Sequence, residues 1–291
     1  MTITIRRGAT ARAAAALLML AALLSAGTAS AGTLDRIRQD KVVRIAYRPD
    51  APPFSYVNKD GAPAGFMVDL CQAVVGKLAD QLKLASLAAN YVAVTAANRF
   101  EAIQQGKADL LCEPTSATLS RRKLVDFSVT TFVDGASLII TPNGPQSLSA
   151  LAGKNIGVLD GTTTEQELRK TLSDNKIVAN VVPAKTHAEG LAMLDEGKVS
   201  AYFGDRSILL VLVANSKAPG KLRLADGYMS IETYALALPR GDDDFRLEVD
   251  RALSHIYGSG ELAPIFNRSF GINPSAGSML QMVYLISGLP D

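Results

Sequence analysis

The chain has 291 residues, 30 of them basic and 28 acidic, with two cysteines and two histidines. Nearly balanced charge without a basic run argues against nucleic acid or an anionic membrane as the target. Two cysteines and two histidines scattered along the chain do not make a zinc site, and neither a metal nor a cofactor is expected.

Residues 1–31 carry the marks of export. Arg6, Arg7 and Arg12 precede an apolar run over 13–26, and the segment ends Ala29-Ser30-Ala31. A basic start, an apolar run of about 7–15 residues and an A-x-A site describe a cleaved secretory signal. The run is too short for a spanning helix, which takes about 20 apolar residues. No cysteine stands at the cleavage point, so a soluble periplasmic product is expected rather than a lipoprotein. Losing three arginines and no acid leaves 27 basic against 28 acidic residues, a net charge of −1. Cys71 and Cys112 then lie in a compartment that permits disulfides. They are expected on a helix and an adjacent strand, where a bridge and two separately buried thiols are both open.

Residues 42–46 predict the first strand, followed by a loop with Arg48, Pro49, Pro52, Pro53 and Phe54. Phe66, Leu70, Val74 and Leu78 recur every four residues, the spacing of an amphipathic helix. Residues 91–94 predict a strand, 98–105 a short helix closed by Gly106, and 108–112 the next strand. The later half repeats this grammar. A strand over 156–158 leads to Gly161 and three threonines that open a helix. A strand over 178–182 precedes Thr186 and Glu189, spaced as a capping box. That helix ends at Gly197, and 199–203 predicts another strand. Helix-Gly106-Lys107-strand and helix-Gly197-Lys198-strand are the same unit, once in each half.

This alternation favours an α/β fold with mainly parallel sheets. Two lobes are expected: 32–135 with a return over 236–272, and 136–235. Crossings are expected over 133–141 and 231–238. Residues 244–270 predict terminal helices on the first lobe. The tail, 273–291, carries Met279, Leu280, Met282, Val283, Leu285 and Ile286, and would either pack on the first lobe or dock a partner.

In open α/β sheets ligands bind outside the carboxyl ends of the strands, and two facing lobes make a cleft. The polar residues at those ends are Arg48, Thr95, Arg99, Glu113, Thr115, Ser116, Thr118 and Arg121 in the first lobe. In the second they are Gly161, Thr162, Thr163, Thr164, His187 and Asp205. Arginine presents a planar fork that pairs with a carboxylate. The Gly-Thr-Thr-Thr turn offers N–H groups and hydroxyls to an anion at a helix N-terminus, or simply caps that helix. Asp205 could hold an ammonium or cap the helix that follows it. The guest such a set suits is small, with carboxylates and one ammonium group.

Gly65-Phe66-Met67-Val68-Asp69-Leu70 resembles a signature of the bacterial extracellular solute-binding proteins of family 3, with Met67 where the signature expects an acid. Thr118-Leu119-Ser120-Arg121 with Val125-Asp126-Phe127-Ser128 is similar to that family's carboxylate-clamping run. Gly161-Thr162-Thr163 and Asp205 fall where it keeps a second carboxylate turn and an ammonium partner. The resemblance implies a two-lobed, type II periplasmic-binding-protein fold that takes an amino acid and delivers it to the membrane permease of an ABC importer. It implies a monomer that is not an enzyme. Arg121 with Ser116, Thr162 and Thr163 would take the α-carboxylate, and Asp205 the ammonium. Arg48 before Pro53-Phe54-Ser55-Tyr56, Asn98-Arg99, and His187 after Ala184-Lys185 resemble the glutamate/aspartate-binding branch. Arg48, Arg99 and His187 would then face a side-chain carboxylate. Ala96 and Pro114 replace serines of that branch, Ala51 replaces an aromatic, and Glu113 is an extra acid. Two other readings are a cyclohexadienyl dehydratase-like enzyme with Glu113 as general acid, and a sensing module for a separate partner.

Overall fold

A short helix, Thr33–Asp40 (α1), buries Leu34 and Ile37 and leads into β1 (Val42–Tyr47), whose Val43 and Ile45 are buried. The computed structural model describes residues 32–271 and 277–290. The expected export signal and residues 272–276 lie outside the described residues. After β1 the proline loop forms a small antiparallel sheet of β2 (Asp50–Ala51), β3 (Ser55–Val57) and β4 (Pro63–Ala64). The helix α2 (Phe66–Gln81) buries Phe66, Leu70, Val74 and Leu78, the four residues whose spacing predicts it. Next come β5 (Ala88–Ala93), α3 (Arg99–Gln104), β6 (Leu110–Leu111) and β7 (Asp126–Asp134).

A second set follows: β8 (Ala136–Ile140), β9 (Asn155–Leu159), α4 (Thr163–Asp174), β10 (Asn180–Ala184) and α5 (His187–Asp195). It continues with β11 (Ala201–Asp205), α6 (Arg206–Ala214) and β12 (Arg223–Leu224). The chain then returns through β13 (Glu232–Leu238) to α7 (Asp243–Ser259), α8 (Leu262–Phe270) and α9 (Ser278–Ser287).

These strands build two five-stranded sheets, ordered β5-β1-β6-β13-β7 and β10-β9-β11-β8-β12. The two sheets share one plan. In each, the first three strands are parallel and the last two pair antiparallel. The parallel strands are joined through helices; β8 and β13, which follow the two crossings between the sheets, pair antiparallel. The sheets are therefore mixed, and the fold is an α/β fold of two lobes.

The repeated Gly-Lys unit is the same turn in both lobes. Gly106 and Gly197 have φ of 63° and 69°, the left-handed conformation that favours glycine after a helix. Lys107 N–H reaches Ala102 O at 2.9 Å and Lys198 N–H reaches Met193 O at 2.9 Å. Only Gly135 separates β7 from β8, and a Cβ there would lie 2.0 Å from Ser230 O. Glycine is what lets the two crossings run side by side, tied by Ala136 N–H to Ser230 Oγ at 3.0 Å.

Cys71 on α2 and Cys112 beside β6 form a disulfide, so of the two open readings the bridge holds. Closing its 41-residue span constrains the unfolded chain by about 4 kcal/mol on the loop-entropy account. Of the tail, α9 buries Leu280 and Tyr284, with Tyr284 5.1 Å from the Tyr257 ring of α7. It packs on the first lobe, while Met279, Met282, Leu285 and Ile286 stay exposed.

Gly190 shows packing overriding propensity. It sits inside α5, where alanine is favoured by about 1 kcal/mol, yet a Cβ would lie 2.0 Å from Cε2 of fully buried Tyr202. Overpacking of this kind costs about 1–3 kcal/mol. Gly190→Ala is expected to lose up to about 2 kcal/mol net in urea unfolding; greater stability would show that Tyr202 yields freely.

Candidate functional site

The charged strand-end residues come from separate loops and meet. Arg48 follows β1, Arg99 opens α3 after β5, and Glu113 follows β6, all in the first lobe. Thr163 opens α4 after β9, His187 opens α5 after β10, and Asp205 ends β11, all in the second. Arg48, Arg99 and Arg121 are buried at 3%, 2% and 8% exposure. Each therefore needs partners to offset lost hydration.

Those partners are specific. Arg48 donates from Nε and Nη2 to Asp50 Oδ1 at 2.9 and 2.8 Å and stands 3.7 Å from Glu113. Arg99 donates from Nη1 to Ala96 O at 2.7 Å, and its Nε is 3.4 Å from Glu113 Oε1. Arg121 donates from Nη1 to Ser116 O at 2.9 Å. Glu113 thus points inward and pairs with two arginines, and Thr115 donates its hydroxyl to it.

Several contacts join the lobes. Ser116 Oγ and Thr163 Oγ1 share a hydrogen bond of 3.0 Å. Arg99 Nη2 reaches Gly161 O at 3.5 Å, His187 N–H reaches Asp50 Oδ2 at 3.4 Å, and Tyr234 Oη donates to Asp205 Oδ1 at 2.8 Å. Glu232, at the start of β13, accepts from Ser116 and, at 2.6 Å, from Thr163.

Burial sets the protonation states. Asp205 is pushed up to about 8, by burial first and then by the neighbouring acids Glu232 and Asp134. Asp134 is raised to about 6, again chiefly by burial. Burial, with Arg48 adding to it, lowers His187 to about 3, so its ring is neutral. Its Nδ1 pairs with Tyr202 Oη at 3.0 Å, while Nε2 is buried without a hydrogen-bond partner. Arg99 falls to about 10, mainly by burial, and stays charged at neutral pH.

Seven of the eight expected side chains join these contacts: Arg48, Arg99, Ser116, Arg121, Thr163, His187 and Asp205. Thr162 does not. Its hydroxyl accepts Glu165 N–H at 3.2 Å and donates to Leu159 O at 2.6 Å, which makes it the cap of α4. Glu165 returns the bond to Gly161 N–H at 3.1 Å. The same exchange occurs at Thr186 and Glu189, with Lys185 N–H as the second donor at 2.7 Å. Asp205 stands at the start of α6 but makes no side-chain capping bond. Sequence reasoning misses Asp50, Tyr202, Glu232 and Tyr234. Asp50, two residues from Arg48, and Glu232, an acid opening an apolar strand, are visible signals; the two tyrosines read as core.

An opening of about 350 Å³ lies beside Ser116, Thr163 and Glu232. Larger openings, about 820 and 740 Å³, lie against α8 and α9 with mostly apolar walls. The buried charge gathers at the strand ends, which makes them the candidate site. Among the described residues, no group of three His, Cys, Asp or Glu side chains could hold a metal ion. No described helix is long and apolar enough to cross a membrane.

Similarity to known proteins agrees with this geometry. The chain is 33% identical over 241 residues to the L-glutamate/L-aspartate-binding protein of Pseudomonas aeruginosa, covering 82% of this chain and 80% of that one. It is 29% identical to the glutamate/aspartate import solute-binding protein of Escherichia coli K12, over 97% of this chain and 94% of that one. The solute receptor for L-cysteine of Neisseria gonorrhoeae superposes with a TM-score of 0.72 at 25% identity, over 82% of this chain and 93% of that one. An ancestral arginine-binding protein bound to arginine gives 0.71 at 26%, over 79% and 99%. The model of bacterial extracellular solute-binding proteins, family 3, matches residues 43–272. Sharing that family's sequence pattern and two-lobed fold over most of its length, the chain belongs to the bacterial extracellular solute-binding proteins of family 3.

Proposed function

We propose that this protein captures a polar amino acid with an acidic side chain between its two lobes in the periplasm. It acts as a monomer, without catalysis, and hands the ligand to the membrane permease of an ABC importer. The observation that carries this reading is that three arginines are buried in the first lobe where its Ser116, Asp50 and Tyr234 bond Thr163, His187 and Asp205 of the second. The glutamate/aspartate-binding relatives support the acidic side chain.

Lobe 1 comprises 32–134 and the return from Glu232 onward, a few residues earlier than the expected 236 because β13 pairs in the first sheet; lobe 2 lies between, and the joints are Gly135 and the 230–231 stretch. Arg121, Ser116 and Thr163 hold the α-carboxylate, with Thr162 contributing at most its backbone N–H. Asp205 takes the ammonium, and Arg48, Arg99 and the neutral His187 face the side chain. A ligand touching both lobes favours the closed form, a population shift of the hinge type. A dehydratase on this scaffold would need Glu113 free as a general acid; its ion pairs with Arg48 and Arg99 favour binding instead.

The direct test is a thermal-shift panel of the twenty amino acids and prephenate on protein stripped of ligand by unfolding and refolding. A ligand at 1,000 times its Kd adds about 4 kcal/mol, which corresponds to roughly 8–16 °C for a chain of this size. Arg121→Ala should weaken binding at least about thirtyfold, since truncating one partner of a buried charge pair costs about 2 kcal/mol or more. A shift with prephenate alone, or an unchanged Arg121→Ala, would sink the reading.

Asp205 and Asp134 add a pH dependence. The folded unliganded chain holds protons at about 8 and about 6 that the unfolded chain releases near pH ~4. At these two carboxyls the folded protein binds more protons than the unfolded, so their contribution falls as pH rises from about 4 to about 8. His187, lowered to about 3, slopes the other way up to about pH 6.5, so the fall is clearest above it. Urea unfolding at pH 5, 6.5 and 8 should show this fall. Asp205→Asn should remove its upper part, and saturating ligand, whose ammonium favours the charged Asp205, should flatten it. A pH-flat unliganded protein would contradict the assignment.

A further inference from the structure

Glu113 is fully buried and stands against the two arginines assigned to the ligand side chain. Its Oε1 is 3.4 Å from Arg99 Nε, and its Oε2 is 3.7 Å from Arg48 Nη1. Asp50 already accepts two hydrogen bonds from Arg48. The two guanidinium charges at this end of the cleft therefore meet two carboxylates of the protein itself. Arg121 and, from across the cleft, Asp205 are the other charges acting here, and His187 is neutral. A second ligand carboxylate entering this end would meet compensated charge.

One atom sharpens the point. Glu113 Oε2 is buried and accepts no hydrogen bond. An unsatisfied buried acceptor costs about 1–3 kcal/mol, so a ligand group that donates a hydrogen is favoured there. Arg99 Nε beside it is buried without a hydrogen-bond acceptor, so a group that both donates and accepts, a side-chain amide or a protonated carboxyl, serves both atoms, whereas a carboxylate serves only the second.

We propose that Glu113 is a specificity-determining residue, an internal counter-ion on Arg48 and Arg99 that admits a second ligand carboxylate only when it carries a proton. The proposal rests on reading the cleft as an amino-acid site. Burial raises the proton affinity of Glu113 against the pull of Arg99, Arg48 and Arg121, which brings the neutral form within reach. Capture of a dicarboxylic amino acid then takes up one proton at Glu113, and capture of its amide takes up none there. Any proton released at Asp205 is common to both ligands and cancels in the comparison.

The test is titration calorimetry on the full chain, stripped of ligand, with L-glutamate and L-glutamine in buffers of different ionisation enthalpy. At pH 7.5, glutamate should take up more protons than glutamine. Its affinity relative to glutamine should weaken as pH rises. Glu113→Gln should raise the glutamate-to-glutamine affinity ratio at least tenfold at pH 7.5 and abolish the proton difference. Equal proton uptake for both ligands in the unsubstituted protein overturns the proposal, and that measurement stands even if Glu113→Gln fails to fold. An unmoved ratio in a folded Glu113→Gln overturns it as well. Binding of neither ligand overturns the amino-acid reading and this inference with it.

Discussion

A guanidinium removed from water must find compensation, and here three of them are removed together. Arg48, Arg99 and Arg121 are each buried to more than nine-tenths, where an unpaired ion would cost several kcal/mol. Much of the site can be read as the answer to that demand. Asp50 and Glu113 supply charge, and the carbonyls of Ala96, Ser116 and Gly161 each take one further donor. Because those carbonyls belong to loops of both lobes, the arginines also fix where the loops end and how closely the lobes meet.

The scaffold that makes this convergence possible is one plan used twice. Each sheet places three parallel strands with their carboxyl ends toward the cleft, and the crossing strands fill the antiparallel positions. The plan depends on a few backbone devices rather than on many. Gly106 and Gly197 end equivalent helices in left-handed turns, and the Thr162–Glu165 and Thr186–Glu189 pairs open two successive helices of the second lobe. Gly135 alone lets the two crossings lie against each other. With these in place, residues far apart in the chain arrive at one line of contact.

Local devices are legible in the amino-acid sequence, because their causes lie within a turn or two of chain. The spacing of Phe66, Leu70, Val74 and Leu78, the Gly-Lys turns and the Thr186–Glu189 box belong to this class. Boundaries are less legible. The strand expected over 178–182 lies at Asn180–Ala184, since Val178 is apolar yet 84% exposed. The helix Thr33–Asp40 escapes a reading of periodicity because only Leu34 and Ile37 mark its buried face. In the site, the arginines, Ser116, Thr163, His187 and Asp205 can be named from their positions at strand ends. Their partners cannot, because the pairing of Glu113 with Arg99 and of Tyr234 with Asp205 depends on sheet order and lobe contact. Thr162 shows the converse: a hydroxyl in the right loop is already taken by its own helix.

Arg48, Asp50, Arg99 and Glu113 all belong to the first lobe, and Cys112, next to Glu113, is bonded to α2. The acid is therefore held beside its arginines by a covalent tether that does not depend on the second lobe. When the lobes part, Arg48 and Arg99 still face two acids of their own lobe rather than standing bare. Their pull on an anionic ligand from a distance is reduced accordingly, and with it the dependence of arrival on ionic strength. Discrimination falls to the contacts made after arrival, when water leaves the cleft and each unpaired atom counts.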